Sequence, residues 1–279
     1  MIDLHSHILP GIDDGSPSLE TSLEMARLYE AQGVQAVACT PHILPGVYHN
    51  SGKAIREAVA DLQMRLDEAG ITLTLFPGAD NHVVTDFVAG LRQGHLLTLG
   101  DTRYVLVEPP HNMAPPRFDD LVFSILLAGY VPIITHPERL KWIEDGYDVM
   151  VRLAERGVWM QITASSLTGR FGRRPLYWAE RMIGEGRVQI LATDAHDPVG
   201  RPPDLEAGWK AACRLVGPQE AGQMVSGRPS FILCDGNPGE SAPIRVERPQ
   251  PQGEGERHAK GAGRSDAAGL VGRLRRLLG

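Results

Sequence analysis

Cysteine is scarce in this 279-residue chain: Cys39, Cys213 and Cys234 are odd in number and scattered. That excludes a disulfide framework and fits a reducing compartment. It also excludes a thiolate nucleophile held in a C-x5-R loop, because the sixth residues beyond these cysteines are Pro45, Gln219 and Glu240. No apolar run approaches the ~18 residues that a membrane span needs, and no basic and then apolar leader precedes the first strand-like run. Excess positive charge is missing as well. With 28 Lys and Arg against 34 Asp and Glu, the net charge of −6 offers no general attraction to nucleic acid or anionic lipid. A G-x-x-x-x-G-K-[ST] phosphate loop is absent. These absences predict a cytoplasmic protein with no nucleic-acid partner and no membrane span; the oligomeric state is not legible.

What is present is a strand and helix alternation. Apolar or β-branched runs recur at Ile2–Leu4, Val34–Thr40, Thr72–Phe76, Tyr104–Val107, Val131–Thr135, Trp159–Thr163 and Gln189–Thr193, most of them bounded by Gly, Pro or charge. Between them lie helix-like segments. One is opened by Ser16-Pro17 and closed by Gly33, another carries Ile55, Val59, Leu62 and Leu66 before Gly70, and others cover 118–128, 148–156, 175–183 and 205–216. Such alternation predicts parallel strands with crossover helices. Seven runs suggest a barrel one strand short of the usual eight, with its active face at the C-terminal ends of the strands.

The residues at those ends are metal ligands by type. His5 and His7 stand one residue apart and share a face of the first strand. Asp14, His42, Asp80, Glu108, His136, Asp194 and His196 each follow a later run or its loop. Nine imidazole and carboxylate groups exceed the about four that one zinc uses. Two or three divalent ions, bridged by at least one carboxylate, are therefore expected, and phosphoester hydrolysis is the chemistry such clusters serve. Asp13 stays open between a turn residue and a site residue.

The run DLHSHILPGIDDG, with TPH at 40–42, Glu108, THPER at 135–139, TDAH at 193–196 and GRPP at 200–203, resembles the bacterial tyrosine-protein phosphatases of the PHP (polymerase and histidinol phosphatase) superfamily found in capsule and exopolysaccharide gene clusters. The likeness runs from Met1 to about Leu233. It implies an α/β fold, a distorted (β/α)7 TIM-like barrel with three divalent ions per chain, Mn foremost and Fe, Zn or Mg as alternatives. By the same resemblance His5, His7 and Asp194 hold one ion, Glu108 and His136 a second, and Asp14, His42 and His196 the third. The family's bridging glutamate is replaced here by the shorter Asp80. Arg139 and Arg201 match the family's phosphate-holding arginines, whose fork suits phosphate oxygens. The implied reaction is hydrolysis of phosphotyrosine by a metal-activated hydroxide, on the phosphotyrosine tail of a bacterial tyrosine autokinase. The rivals are a small phosphomonoester such as histidinol phosphate, and an inactive metal-binding regulator.

The phosphatase domain is expected to cover 1–238. From 239 to 279 Pro and Gly interleave with charge, the composition of a flexible tail, ending in a basic amphipathic stretch over 270–278. His49, His82, His95, His111 and His258 are expected at the surface or behind the ligands, with His111 a candidate to touch substrate.

Overall fold

The computed structural model describes residues 1–246. The expected 239–279 tail falls mostly outside them, and the 270–278 stretch wholly so. Within the described part the chain stays packed beyond 239: the Arg245 N–H donates to Glu220 at 2.9 Å, and Val246 rests on the core.

Strand β1 (Ile2–Ser6) leads to helix α1 (Leu19–Ala31), then β2 (Ala36–Cys39), β3 (His42–Ile43), α2 (Gly52–Glu68), β4 (Thr74–Pro77), β5 (Asp80–His82) and α3 (Phe87–Arg92). β6 (Tyr104–Glu108), α4 (Phe118–Leu127), β7 (Val131–Thr135), α5 (Ile143–Glu155), β8 (Trp159–Thr163), α6 (Ala164–Leu167) and α7 (Arg173–Gly184) follow. β9 (Ile190–Ala192), α8 (Leu205–Gly222) and α9 (Arg228–Leu233) complete the set. Local chemistry explains the helix ends. Ser18 and Ser51 cap α1 and α2 by accepting from the N–H groups of Thr21 and Ala54, each at 3.3 Å. Gly33 and Gly70, both at positive φ, release those helices.

All named strand pairings among the described residues are parallel, so the α/β expectation holds, but the ladders form two sheets rather than one ring. One has the order β1-β2-β4 and the other β3-β5-β6-β7-β8-β9. The breaks fall at Thr40-Pro41 and Gly78-Ala79, where Pro41 brings no N–H to a ladder. β2 and β3 are thus one interrupted run, as are β4 and β5. The expected 148–156 helix begins earlier, at Ile143, and the 205–216 helix continues through a break at Gly217, φ 81°, to Gly222.

β2, β6, β7, β8 and β9 are buried at every position, as parallel strands covered on both faces must be. One core lies between strands and helices. A second joins Leu4, Tyr104, Leu106, Ile133, Trp159, Ile190 and Ile232. Strand alternation then lifts polar residues above this apolar layer: Glu108 follows Leu106 on the same face, Gln161 follows Trp159, and Thr135 follows Ile133.

Candidate metal centre

β1 delivers His5 and His7, both fully buried. The His5 Nδ1 pairs with Gln161 Oε1 at 3.0 Å, and an amide oxygen only accepts, so Nδ1 carries the proton and Nε2 is free to face the centre. The His7 Nδ1 pairs with Asp13 Oδ2 at 2.7 Å, which likewise turns the His7 Nε2 inward. Asp13 also accepts from the His42 N–H at 3.0 Å and the Gly15 N–H at 2.9 Å. It is therefore a positioning carboxylate. Gly15 is required here, since a Cβ would lie 2.2 Å from the His7 carbonyl oxygen.

Asp80 sits fully buried at the middle. Its Oδ2 lies 3.6 Å from His5 Nε2, 3.5 Å from His42 Nδ1 and 3.9 Å from His136 Nε2. Glu108 approaches His42 at 3.3 Å and His136 at 3.9 Å. Asp194 Oδ1 is 3.4 Å from His5 Nε2 and 3.3 Å from His7 Nε2, and its Oδ2 engages both Arg139 and Arg201. Asp14, half exposed at the mouth, lies 3.5 Å from His42 and 3.6 Å from His196. All nine sequence-selected ligands thus meet in one network, and both arginines reach it. They line a recess of about 190 Å³ with Asp14, His42, Glu108 and Asp194.

The electrostatics are divided. Burial holds the His5 imidazole down at about 3. Burial pulls His7 the same way, but Asp13 and Asp194 outweigh it and push it up to about 10. Burial and the nearby Glu108 raise Asp80 well above the carboxylate range. Burial would raise Asp194 too, yet Arg201 and His5 hold it far down.

The donor set fits divalent cations. Asp80 Oδ2, His42 Nδ1 and His196 Nε2 are buried with no hydrogen-bond partner among the described residues, an arrangement costing about 1–3 kcal/mol per group unless something else binds there. Imidazole and carboxylate without thiolate is the chemistry of Mn, Fe, Zn or Mg. The atoms fall into overlapping sets within 4.8 Å of one another: His7, Asp14, His42 and His196; His5, His7 and Asp80; His42, Asp80 and Glu108; and Glu108, His111 and His136.

Two strand ends are held in left-handed backbone to achieve this. His136 has φ 36° and Asp194 φ 53°, a conformation costing about 1–3 kcal/mol for a residue with a Cβ. Of the groups around the candidate ligands, Gln161 and Phe171 are not singled out in the sequence, and Asp13 stays open there. Gln161 and Asp13 orient histidines, and Phe171 stacks on the Arg139 guanidinium at 4.5 Å. His82 and His111 contact Glu108 at 3.3 and 3.4 Å, the position behind the candidate ligands that is one of their two expected places. Strand parity with Trp159 is the signal that finds Gln161; Phe171 had none.

Residues 1–234 match the family described as capsular polysaccharide synthesis, CpsB/CapC. The chain is 38% identical over 197 residues to the tyrosine-protein phosphatase YwqE of Bacillus subtilis (strain 168), spanning 71% of this chain and 78% of that protein. It is 27% identical over 244 residues to the tyrosine-protein phosphatase CpsB of Streptococcus pneumoniae, covering 84% and 99%. A solved structure from work on YwqE and S. pneumoniae CpsB, described as unique metal-dependent tyrosine phosphatases, superposes with a TM-score of 0.81 at 33% identity, covering 89% of this chain and 100% of that one. Histidinol phosphate phosphatase of Lactococcus lactis shares the fold at a TM-score of 0.50 and 13% identity, over 80% and 95%.

Proposed function

Because this chain belongs to the capsular polysaccharide synthesis family CpsB/CapC, we propose that it is a metal-dependent protein-tyrosine phosphatase. The observation that carries the reading is the convergence of two guanidiniums on a recess lined by metal-ligand side chains. His5, His7, Asp80 and Asp194 would hold one ion, Asp80, Glu108 and His136 a second, and Asp14, His42 and His196 a third, with Mn the first choice. When bound, such ions polarise phosphate oxygens and lower the pKa of water.

The protein's own groups do the binding and orienting. Arg139 rests with its guanidinium carbon 4.5 Å from the centre of the Phe171 ring. Arg201 is fixed through its backbone, its N–H donating to Asp197 at 3.1 Å and its carbonyl accepting from the His196 N–H at 2.9 Å. Its Nε is buried with no partner among the described residues, a donor left for a phosphate oxygen. Two charge-assisted forks on one phosphoryl group favour the transition state, where oxygen charge is redistributed. Asp80 is short for a bridge, but its central place and unpartnered Oδ2 support that role.

The two sheets read as one distorted (β/α)7 barrel of PHP type, each interrupted run counting once. The Ser6–Ala195 bridge and the His7 N–H to Ala195 carbonyl bond of 2.8 Å support closure between β1 and β9. Family context supports a cytoplasmic role on the phosphotyrosine tail of a tyrosine kinase in capsule synthesis. No helix among the described residues is long and apolar enough to cross a membrane.

The test is hydrolysis of a phosphotyrosyl peptide by protein stripped with chelator and restored with Mn. Activity should vanish and return, fall about 100-fold or more in Arg139→Ala with metal content kept, and fall together with metal content in Asp80→Ala. Full activity after stripping, or strong preference for histidinol phosphate, overturns the reading.

A further inference from the structure

A second concavity adjoins the metal centre and takes no part in the chemistry above. It measures about 530 Å³ and lies between the loop after β3 and helix α3. Ile43, Val84, Ala89 and Leu96 give it an apolar lining, with Tyr48 and His49 beside them. Tyr48, which lines the cavity, joins it to the recess. Its ring stacks on His42 with centroids 5.7 Å apart and planes 16° apart, and His42 lines the recess where the arginines converge.

This shared wall is built in advance. The Tyr48 N–H donates to the Leu44 carbonyl at 2.8 Å, and the Leu44 N–H returns the bond at 3.1 Å. The Asn50 amide donates to the carbonyls of His42 and Ile12, at 2.9 and 3.0 Å. Val47, at the tip of the same turn, is 60% exposed and adds an apolar edge. A small phosphomonoester seated in the recess would leave all of this uncontacted.

We infer that the cavity receives an apolar side chain of the phosphotyrosyl polypeptide, two residues from the phosphotyrosine. The inference rests on the phosphatase reading and deepens it to a peptide preference. An extended chain advances about 3.3 Å per residue and returns to the same face every second residue, about 7 Å on. The His42 and Tyr48 rings that bridge recess and cavity have centroids 5.7 Å apart, within the reach of that step. The lining carries Asp86 but no Lys or Arg, so an apolar occupant fits better than an acidic one.

The experiment uses the metal-loaded full chain and an alanine-rich phosphotyrosyl peptide in which one leucine is moved through the three positions on either side. Leucine two residues away, on one side only, should raise kcat/KM about tenfold over alanine. Ala89 is exposed on α3, so Ala89→Trp fills the cavity without touching the core. It should erase the leucine advantage while p-nitrophenyl phosphate hydrolysis stays within about twofold. Ala89→Glu should shift the preference at that position from leucine to lysine. A flat leucine series overturns the inference and leaves the phosphatase standing. So does a dimer in solution that Ala89→Trp dissociates, which assigns the cavity to a second copy. Failure of wild type on both peptide and p-nitrophenyl phosphate removes the phosphatase reading itself.

Discussion

Glu138, between His136 and Arg139, is fully buried. Its Oε1 accepts from the Thr163 N–H at 3.0 Å and the Ser166 hydroxyl at 2.7 Å, while Oε2 has no partner among the described residues. Burial pushes its pKa from 4.5 up to about 7, against the pull of those donors and Arg139. A carboxyl whose pKa is raised by folding holds its proton more tightly in the native state. Its stabilising effect is therefore complete below about 4.5, is lost as pH rises, and is gone above about 7. Glu138→Gln keeps the accepting oxygen and replaces Oε2 with an equally unpartnered amide, so the variant isolates the charge. Relative to wild type, its stability should improve by about 2.5 kcal/mol between pH 5 and pH 8, or about 5–10 °C in Tm for a domain of this size. Urea titrations of chelator-treated protein at the two pH values measure this, with the carboxyl sensing only the protein's own charges. A variant that loses ground at pH 8 would refute the reasoning, because it would mean that the ionised Glu138 is stabilised by Arg139 rather than penalised by burial.

Asp13→Ala removes the partner that orients His7 and should weaken metal binding about 10–100-fold, measured by chelator competition; unchanged affinity would leave Asp13 a turn residue only. Arg228 and Glu220 form a buried ion pair at 2.7 Å, angled poorly for a hydrogen bond, with Arg228 also donating to the Gln189 carbonyl. Arg228→Met should cost about 3–5 kcal/mol in denaturant unfolding because it strands a buried carboxylate, and adding Glu220→Leu should recover most of that. Equal stability of the two variants would show that loss of Arg228 leaves no stranded charge to relieve.

Strands with continuous apolar runs were legible within about two residues, because a parallel strand covered on both faces has only one kind of sequence. Val131–Thr135 and Trp159–Thr163 match the structure residue for residue. β3 and β5 were not legible, being two and three residues long and made of His42, Asp80 and His82 among others. Their apolar content is spent on ligands, so periodicity has nothing to register. The nine candidate positions that converge in the structure could be picked out because histidine and carboxylate at strand ends are chemically conspicuous. The groups behind them were harder. Asp13 looks like any Asp before a Gly, and Gln161 is one polar residue inside a buried strand whose purpose shows only when His5 is placed 3.0 Å away. The Gly217-Pro218 break was hidden by apolar spacing that continues through it.

The seam between β1 and β9 sets an order of events during synthesis. Asp3 accepts from the Thr193 N–H at 3.1 Å across 190 positions of sequence, and the Asp194 N–H donates to the His5 carbonyl at 2.8 Å. The first two histidines leave the ribosome some 190 residues ahead of Asp194, His196 and Arg201. At about 5–20 residues per second, some 10–40 s separate them. A chain that stops short of Thr193 therefore carries only part of the candidate ligand set and none of the seam that holds it, so the cluster is assembled by the return of β9 to β1 rather than by the first strand alone.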